Sequence, residues 1–268
     1  MKLKHVLIVV LLFSTLVIGM SGIDAKTYQI DKKDSDKKIK SIFKNVKNKD
    51  VVIFKTANHK NLDLTLKKSI TIKTKGKVKI RSLTINADKT KVSGLTLQQI
   101  TVKGKYNTIQ KNIVENHKSS GYIFYDPAYN RPYDGSIIIY GSSNKILSNK
   151  IRNNNNSCGI VILDAATKNI VRENLIYKNS LFGILLYSGE EKNKGNTIIR
   201  NTIKYNGKHG LFLERSDNNY IKLNRIISNS GIGIVVNKAF NNQFIKNNIQ
   251  KNKINNITYT NEIDYRDV

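Results

Sequence analysis

The side chains best suited to chemistry crowd into one short stretch, GYIFYDPAYNRPYDG, from Gly121 to Gly135. It holds both prolines of the chain, Pro127 and Pro132, and four tyrosines, Tyr122, Tyr125, Tyr129 and Tyr133, with Asp126, Arg131 and Asp134 among them. A tyrosine offers a flat ring and a polar tip, and Asp and Arg bond hydroxyls and carboxylates, so this composition suits sugars. The same rings would equally fasten the stretch to the surface beneath it. Further along, Tyr140, Asp164, Ser188, Arg215 and Lys238 close a series of similar apolar segments. Glycosidic hydrolysis asks for two carboxylates, about 5 Å apart or about 6.5–9.5 Å apart. That column supplies Asp164 alone, with Glu214 in the next column and two segments away. Proton abstraction beside a carboxylate asks for a base and a cationic neutraliser, often with Ca²⁺. Asp126, Asp134 and Asp164 are the acids that would gather the ion. Arg131, Arg215 and Lys238 are the cations that would hold carboxylates. Each of these charges has a plain alternative as a solvated strand end or loop residue.

The elements that must position them are repetitive. NKILSNKIRNN from Asn144, NIVRENLIYKN from Asn169, NTIIRNTIKYN from Asn196, NYIKLNRIISN from Asn219 and NQFIKNNIQKN from Asn242 each place Asn at i, i+5 and i+10. Gly-led apolar strands follow at Gly159, Gly183, Gly210 and Gly233. A period near two dozen with three short β segments describes one coil of a solenoid, too small to bury its apolar residues alone. Stacked coils would bury them, at about 4.8 Å per coil. Asn suits the corners, because it tolerates left-handed backbone and its amide can bond to the same amide one coil on. The pattern resembles the right-handed parallel β-helix repeat of many secreted carbohydrate-binding and carbohydrate-cleaving proteins, over roughly residues 50–260. The fold class expected is therefore all-β, a right-handed parallel β-helix. The stretch from Lys68 to Gly104 alternates with period two and resembles the opening coils of such helices. Before it, Ile39, Ile42, Phe43 and Val46 fall at helical spacing behind the capping residues Asp34 and Ser35. This predicts a short N-terminal helix within 26–49 that caps the first coil, with 50–268 forming the solenoid.

Asn107 also opens a ladder, NTIQKNIVENH, but the next begins at Asn144. Gly135 lies as far before Asn144 as Gly210 lies before Asn219, which marks 121–134 as an insertion into one coil. Insertions in solenoids gather on one face, often the binding face. Beside it, Ile160/Ile162, Ile184/Leu186, Leu211/Leu213 and Ile234/Val236 should point inward. Ile137, Val161, Leu185, Phe212 and Val235 should then form an apolar outer stripe. A face meeting water would be polar, so something should cover it: the insertion, a terminal segment, a ligand or a second copy in a homo-oligomer. Tyr125, Tyr187 and Phe212 would line one groove.

The first residues carry a basic start (Lys2, Lys4, His5), an apolar run from Val6 to Ile18 and Ala25 at a cleavage position. Residues 1–25 read as a secretory signal, with an uncleaved anchor as the alternative and the one expected membrane contact. The protein is expected outside the cytoplasm, secreted or at the cell surface. A net charge of +27 favours acidic partners such as anionic polysaccharide or cell-wall polymer, and export argues against nucleic acid; A/T-rich codon usage is the plain alternative source of the lysines. Cys158 is the only cysteine, so no internal disulfide forms.

KHGLFL from Lys208 resembles the Gly-His-Gly strand of polygalacturonases, whose Asn-Thr-Asp and Asp-Asp motifs are absent. GYIFYDPAYN is similar to the Tyr/Asp-Pro-His segment of mannuronan epimerases, with Ala128 where that pattern has His. The repeat is shared, too, with accessory proteins linked to copper delivery. Copper favours Met, Cys or clustered His, and Met1, Met20, Cys158, His59, His117 and His209 are scattered, so neither copper nor another cofactor is expected, Ca²⁺ apart. The sequence also resembles short adhesin-like surface β-helices. The leading expectation is a non-catalytic binder of acidic polysaccharide or wall material. A uronate-polymer lyase or epimerase and a self-assembling structural protein are the alternatives.

Overall fold

A computed structural model describes residues 25–119, 125–126, 131–132, 134–163, 165–189 and 193–260. The chain winds into a parallel solenoid. Strand β1 (Thr27–Ile30) lies parallel to β2 (Val51–Leu66), which lies parallel to β3 (Thr71–Ile85). These first coils are long bent strands, with register shifts between Lys55 and Ala57 and between His59 and Asp63 in place of sharp corners. From Lys91 onward each coil breaks into three short strands. The first column runs through Gln99–Val102, Gly135–Ile139, Cys158–Leu163, Ile184–Tyr187, Leu211–Glu214, Ile234–Asn237 and Ile257–Thr260, each parallel to the next. The second column starts at Lys91–Ser93 and the third at Leu95–Leu97. One apolar residue per short strand points inward. Ile146, Val171, Ile198 and Ile221 in the second column, and Ile151, Ile176, Ile203 and Ile226 in the third, are all fully buried. The expected inward pairs of the first column belong to the same core.

The N-terminal coil is closed by helix α1 (Asp36–Asn45). Ser35 is its N-cap and accepts from the Lys38 amide at 3.3 Å, satisfying one free N–H of the first turn. Ile39 is fully buried, Ile42 and Phe43 pack on the core, and Phe43 stacks near Phe54 at 6.2 Å. The helical spacing read from the sequence therefore marks the face that seals the core.

The corners differ from expectation in one respect. Left-handed backbone falls on the residue before each ladder position. Lys111 (φ 54°), Ser148 (53°), Glu173 (58°), Arg200 (54°), Leu223 (58°) and Lys246 (49°) precede Asn112, Asn149, Asn174, Asn201, Asn224 and Asn247. The Asn residues do the hydrogen bonding. Asn174 Oδ1 accepts from the Asn149 amide of the previous coil at 2.9 Å, while its Nδ2 donates to Ile146 O at 2.9 Å and to Asn201 Oδ1 at 3.0 Å. A non-glycine left-handed residue costs about 1–2 kcal/mol and a satisfied buried hydrogen bond contributes about 1 kcal/mol net. Ladder and corner strain thus nearly offset, and the stacked Ile rows supply the surplus.

The outer stripe also needs correcting. Ile137 pairs with Ile160 and joins the inner core, and Ile138, paired with Val161, is the outward residue. The stretch from this strand to Asn144 is one residue shorter than those from the Leu211 and Ile234 strands to Asn219 and Asn242, so matching Gly135 to Gly210 slipped the register by one. A slip of one residue in a strand exchanges inside for outside. Ile138, Val161, Leu163, Leu185, Phe212 and Val235 form a second cluster with Cys158 and Phe182, each 2 % exposed or less. The stripe is thus buried within the single chain.

Candidate functional site

Part of the predicted groove lies outside the described residues. Tyr122, Tyr129, Tyr133 and Asp164 lie outside the described residues. The backbones of Tyr125–Asp126 and Arg131–Pro132 pair as a two-residue antiparallel ladder. Phe212 is sealed in the outer cluster, edge-on to Phe182 at 5.2 Å, so it cannot line an open groove. Tyr187 is half-buried beside it. Arg215 and Lys238 occupy exposed left-handed corners, and Arg215 Nε lies 3.6 Å from Glu214 Oε1. Asp134 alone reaches a site of another kind.

That site begins with a break in the third Asn ladder. His117 stands where the following coils put Asn154, Asn179, Asn206, Asn229 and Asn252. Its backbone keeps the ladder bond, donating to Asn154 Oδ1 at 2.9 Å. Its ring instead meets Asp134, with Nε2 2.6 Å from Oδ2. The other oxygen of Asp134 accepts from Gln99 Nε2 at 3.0 Å and from the Gly135 amide at 2.6 Å. Both carboxylate oxygens are thus engaged by donors of the chain. His117 and Asp134 are buried, 9 % and 4 % exposed. The carboxylate fixes the imidazole tautomer, with the proton on Nε2 and Nδ1 as the basic nitrogen.

His117 opens onto a depression of about 250 Å³ shared with Asp63, Arg81, Ser82, Gln98, Gln99 and Lys118. A second depression of about 220 Å³ meets it at Gln98 and carries Lys60, Lys79, Glu115 and Asn116. Together they form an open groove across the corner between the third and first columns of the early coils. Its acids are already partnered. Arg81 grips Asp63 through two hydrogen bonds and Ser82 Oγ donates to it at 2.6 Å; the guanidinium holds the Asp63 carboxyl below the usual carboxylate range. Glu115 accepts from Arg152 at 2.8 Å, and Arg152 also donates to Tyr177 Oη at 2.9 Å. Lys60, Lys79 and Lys118 have no carboxylate partner among the described residues. The groove therefore presents net positive charge, one histidine–aspartate pair and amide donors.

The signal for this site was present as a single irregularity, a His at a ladder position. Its partners Asp63, Arg81 and Gln99 come from early coils without Asn corners, where the sequence offers no alignment.

Stacked parallel strands, inward Ile rows and Asn corners define a right-handed parallel β-helix. The chain belongs to the NosD family, described as periplasmic copper-binding protein (NosD), whose profile matches residues 20–266. Among solved structures it is similar to pectate lyase Pel9A, with a TM-score of 0.63 and 14 % identity over 89 % of this chain and 78 % of that one. It is also similar to the A-module of the Azotobacter vinelandii mannuronan C-5 epimerase AlgE6 (TM-score 0.49, 13 % identity, 87 % and 79 % covered) and to the periplasmic alginate epimerase AlgG (TM-score 0.43, 17 % identity, 88 % and 73 % covered). At this identity the likeness to Pel9A shows the fold. No curated protein matches the chain.

Proposed function

We propose that this protein is a periplasmic β-helix that binds acidic polysaccharide in the groove of its early coils. One observation carries the reading: Lys60, Lys79 and Lys118 rim an open groove whose own acids are paired within the chain. A polyanion laid along it meets cations that have no carboxylate partner among the described residues. Gln98 and Asn116 offer amide groups to sugar hydroxyls. The fold's likeness to a pectate lyase agrees with a polysaccharide ligand.

The family description carries copper, and the described donors do not fit that ion. His59 Nδ1 lies 3.3 Å from Asp36 and His117 is held by Asp134. His209 is sealed beneath Phe182, and Cys158 is buried with its thiol pushed up to about 12 by desolvation. No three His, Cys, Asp or Glu side chains gather among the described residues. Soft thiolate, thioether or imidazole clusters are what copper selects.

Retention on immobilised polygalacturonate and alginate tests the reading. The protein should be held at low salt and released by raised salt. Lys60→Glu and Lys79→Glu should each weaken binding by about 1 kcal/mol, roughly fivefold in Kd. Retention unchanged in the double variant would move the binding surface away from this groove.

A further inference from the structure

The groove holds a component that binding alone does not use. An anion site needs cations, yet its buried wall carries an imidazole locked to a carboxylate. The ladder did not require it, since Asn serves at the equivalent place in the following coils. We propose that the groove also cleaves what it binds, with His117 as the base of a β-elimination on a uronate residue. This rests on the acidic-polysaccharide reading above.

A proton on the carbon next to a carboxylate becomes removable when a cation stabilises the charge spreading onto that carboxylate. Lys118, which has no carboxylate partner among the described residues, lines the same depression as His117. With Nε2 turned to Asp134, Nδ1 of His117 is the nitrogen left to take the C5 proton. The C5–H electron pair becomes the C4=C5 double bond. The C4–O4 bond breaks and its pair leaves on O4, the bridging oxygen to the next sugar. The imidazolium returns its proton to that oxygen, so atoms and charge balance without an oxidant or cofactor. One imidazole on one wall can serve both transfers, whereas inversion at C5 asks for a second donor on the opposite face. Elimination is therefore the step this geometry favours. His117 is the catalytic residue. Asp134 is a positioning residue that fixes the tautomer and stabilises the imidazolium, and Gln99 and the Gly135 amide hold its second oxygen.

His117→Asn separates this role from a structural one, because Asn is the side chain the ladder uses elsewhere. The full protein is incubated with polygalacturonate, polymannuronate and polyguluronate. Three readouts are followed: ultraviolet absorbance of the unsaturated product, C5 proton exchange in deuterated water, and retention on each immobilised polymer. Absorbance should grow on at least one polymer. His117→Asn should keep retention and lose turnover by about a hundredfold or more. Asp134→Asn should lower kcat with little change in KM, as the imidazole loses the carboxylate that holds its tautomer. Retention without absorbance growth or exchange would overturn the proposal and leave the binding reading standing. Exchange without absorbance growth would overturn the elimination, and so would full turnover in His117→Asn. Loss of retention on all three polymers would remove the binding reading itself, and the proposal with it.

Discussion

Replacing His209 with Phe should make the fold less sensitive to acid. The His209 ring is 1 % exposed and lies parallel to Phe182 at 5.4 Å and edge-on to Phe212 at 6.0 Å. Its Nδ1 accepts from the Ile232 amide at 2.9 Å, so the ring proton of the neutral form sits on Nε2, which is buried without a partner. Desolvation, with the positive charge of Lys208 adding to it, lowers the pKa from 6.5 to about 4. In the unfolded chain the group returns to about 6.5. Between those values the unfolded state binds more protons, so stability falls as pH falls. The contribution is complete above about pH 6.5 and gone below about pH 4. The shift corresponds to about 3 kcal/mol in full, of which about 2 kcal/mol is lost by about pH 5. Phe keeps the flat ring but leaves the Ile232 amide without its acceptor, a cost of about 1–3 kcal/mol at every pH. Urea unfolding of both proteins at about pH 7.5 and about pH 5 measures the difference. Wild type should lose about 2 kcal/mol more than His209→Phe between the two conditions, with the other titrating groups cancelling in the comparison. Equal losses would refute the reasoning, since the imidazole would then carry its charge inside the fold at no cost.

Three further outcomes follow from the coils. Asn174→Ala removes an acceptor and a donor from the middle of a ladder and should lower stability by about 2–4 kcal/mol, read from the urea midpoint. Gly210→Ala would bring a Cβ within 2.7 Å of Gly233 O and 2.4 Å of Ile226 Cγ2, so the coils must part; a loss of about 1–3 kcal/mol in the same assay is expected. Leu223→Gly relieves a left-handed corner on an exposed side chain. It should raise stability by about 0.5 kcal/mol, since the relieved strain slightly exceeds the added chain entropy; a lower melting temperature would contradict that balance.

The fold was legible because its two determinants are periodic. Asn at every fifth residue and Ile between them recur coil after coil, and the helical spacing of Ile39, Ile42, Phe43 and Val46 is equally local. The corner strain was not legible, because the left-handed residue is whatever precedes the Asn: Lys111, Glu173, Arg200 and Leu223 have no chemistry in common. The outer stripe was misread at Ile137 because one turn is a residue short, and a period-two pattern of three isoleucines cannot reveal such a slip. Of the candidate site, the sequence singled out Asp134 but for another role. Its partner His117 lies seventeen residues earlier, and Gln99 thirty-five. Contacts between coils depend on register, and the early coils carry no Asn corners to set it. The family resemblance pointed to the fold and left the groove unmarked.

The ladder bonds have a direction, and it bears on how such a chain comes to be folded. The Asn144 amide donates to Oδ1 of Asn169, the Asn169 amide to Asn196 and the Asn196 amide to Asn219, over separations of 25, 27 and 23 residues. Each of these Asn corners is therefore completed by a side chain that comes later in the sequence. A polypeptide delivered amino end first cannot finish one coil until the next has emerged, while the helix at its start already closes the opposite end. Assembly of this kind is ordered in time, and the newest coil is always the loose one.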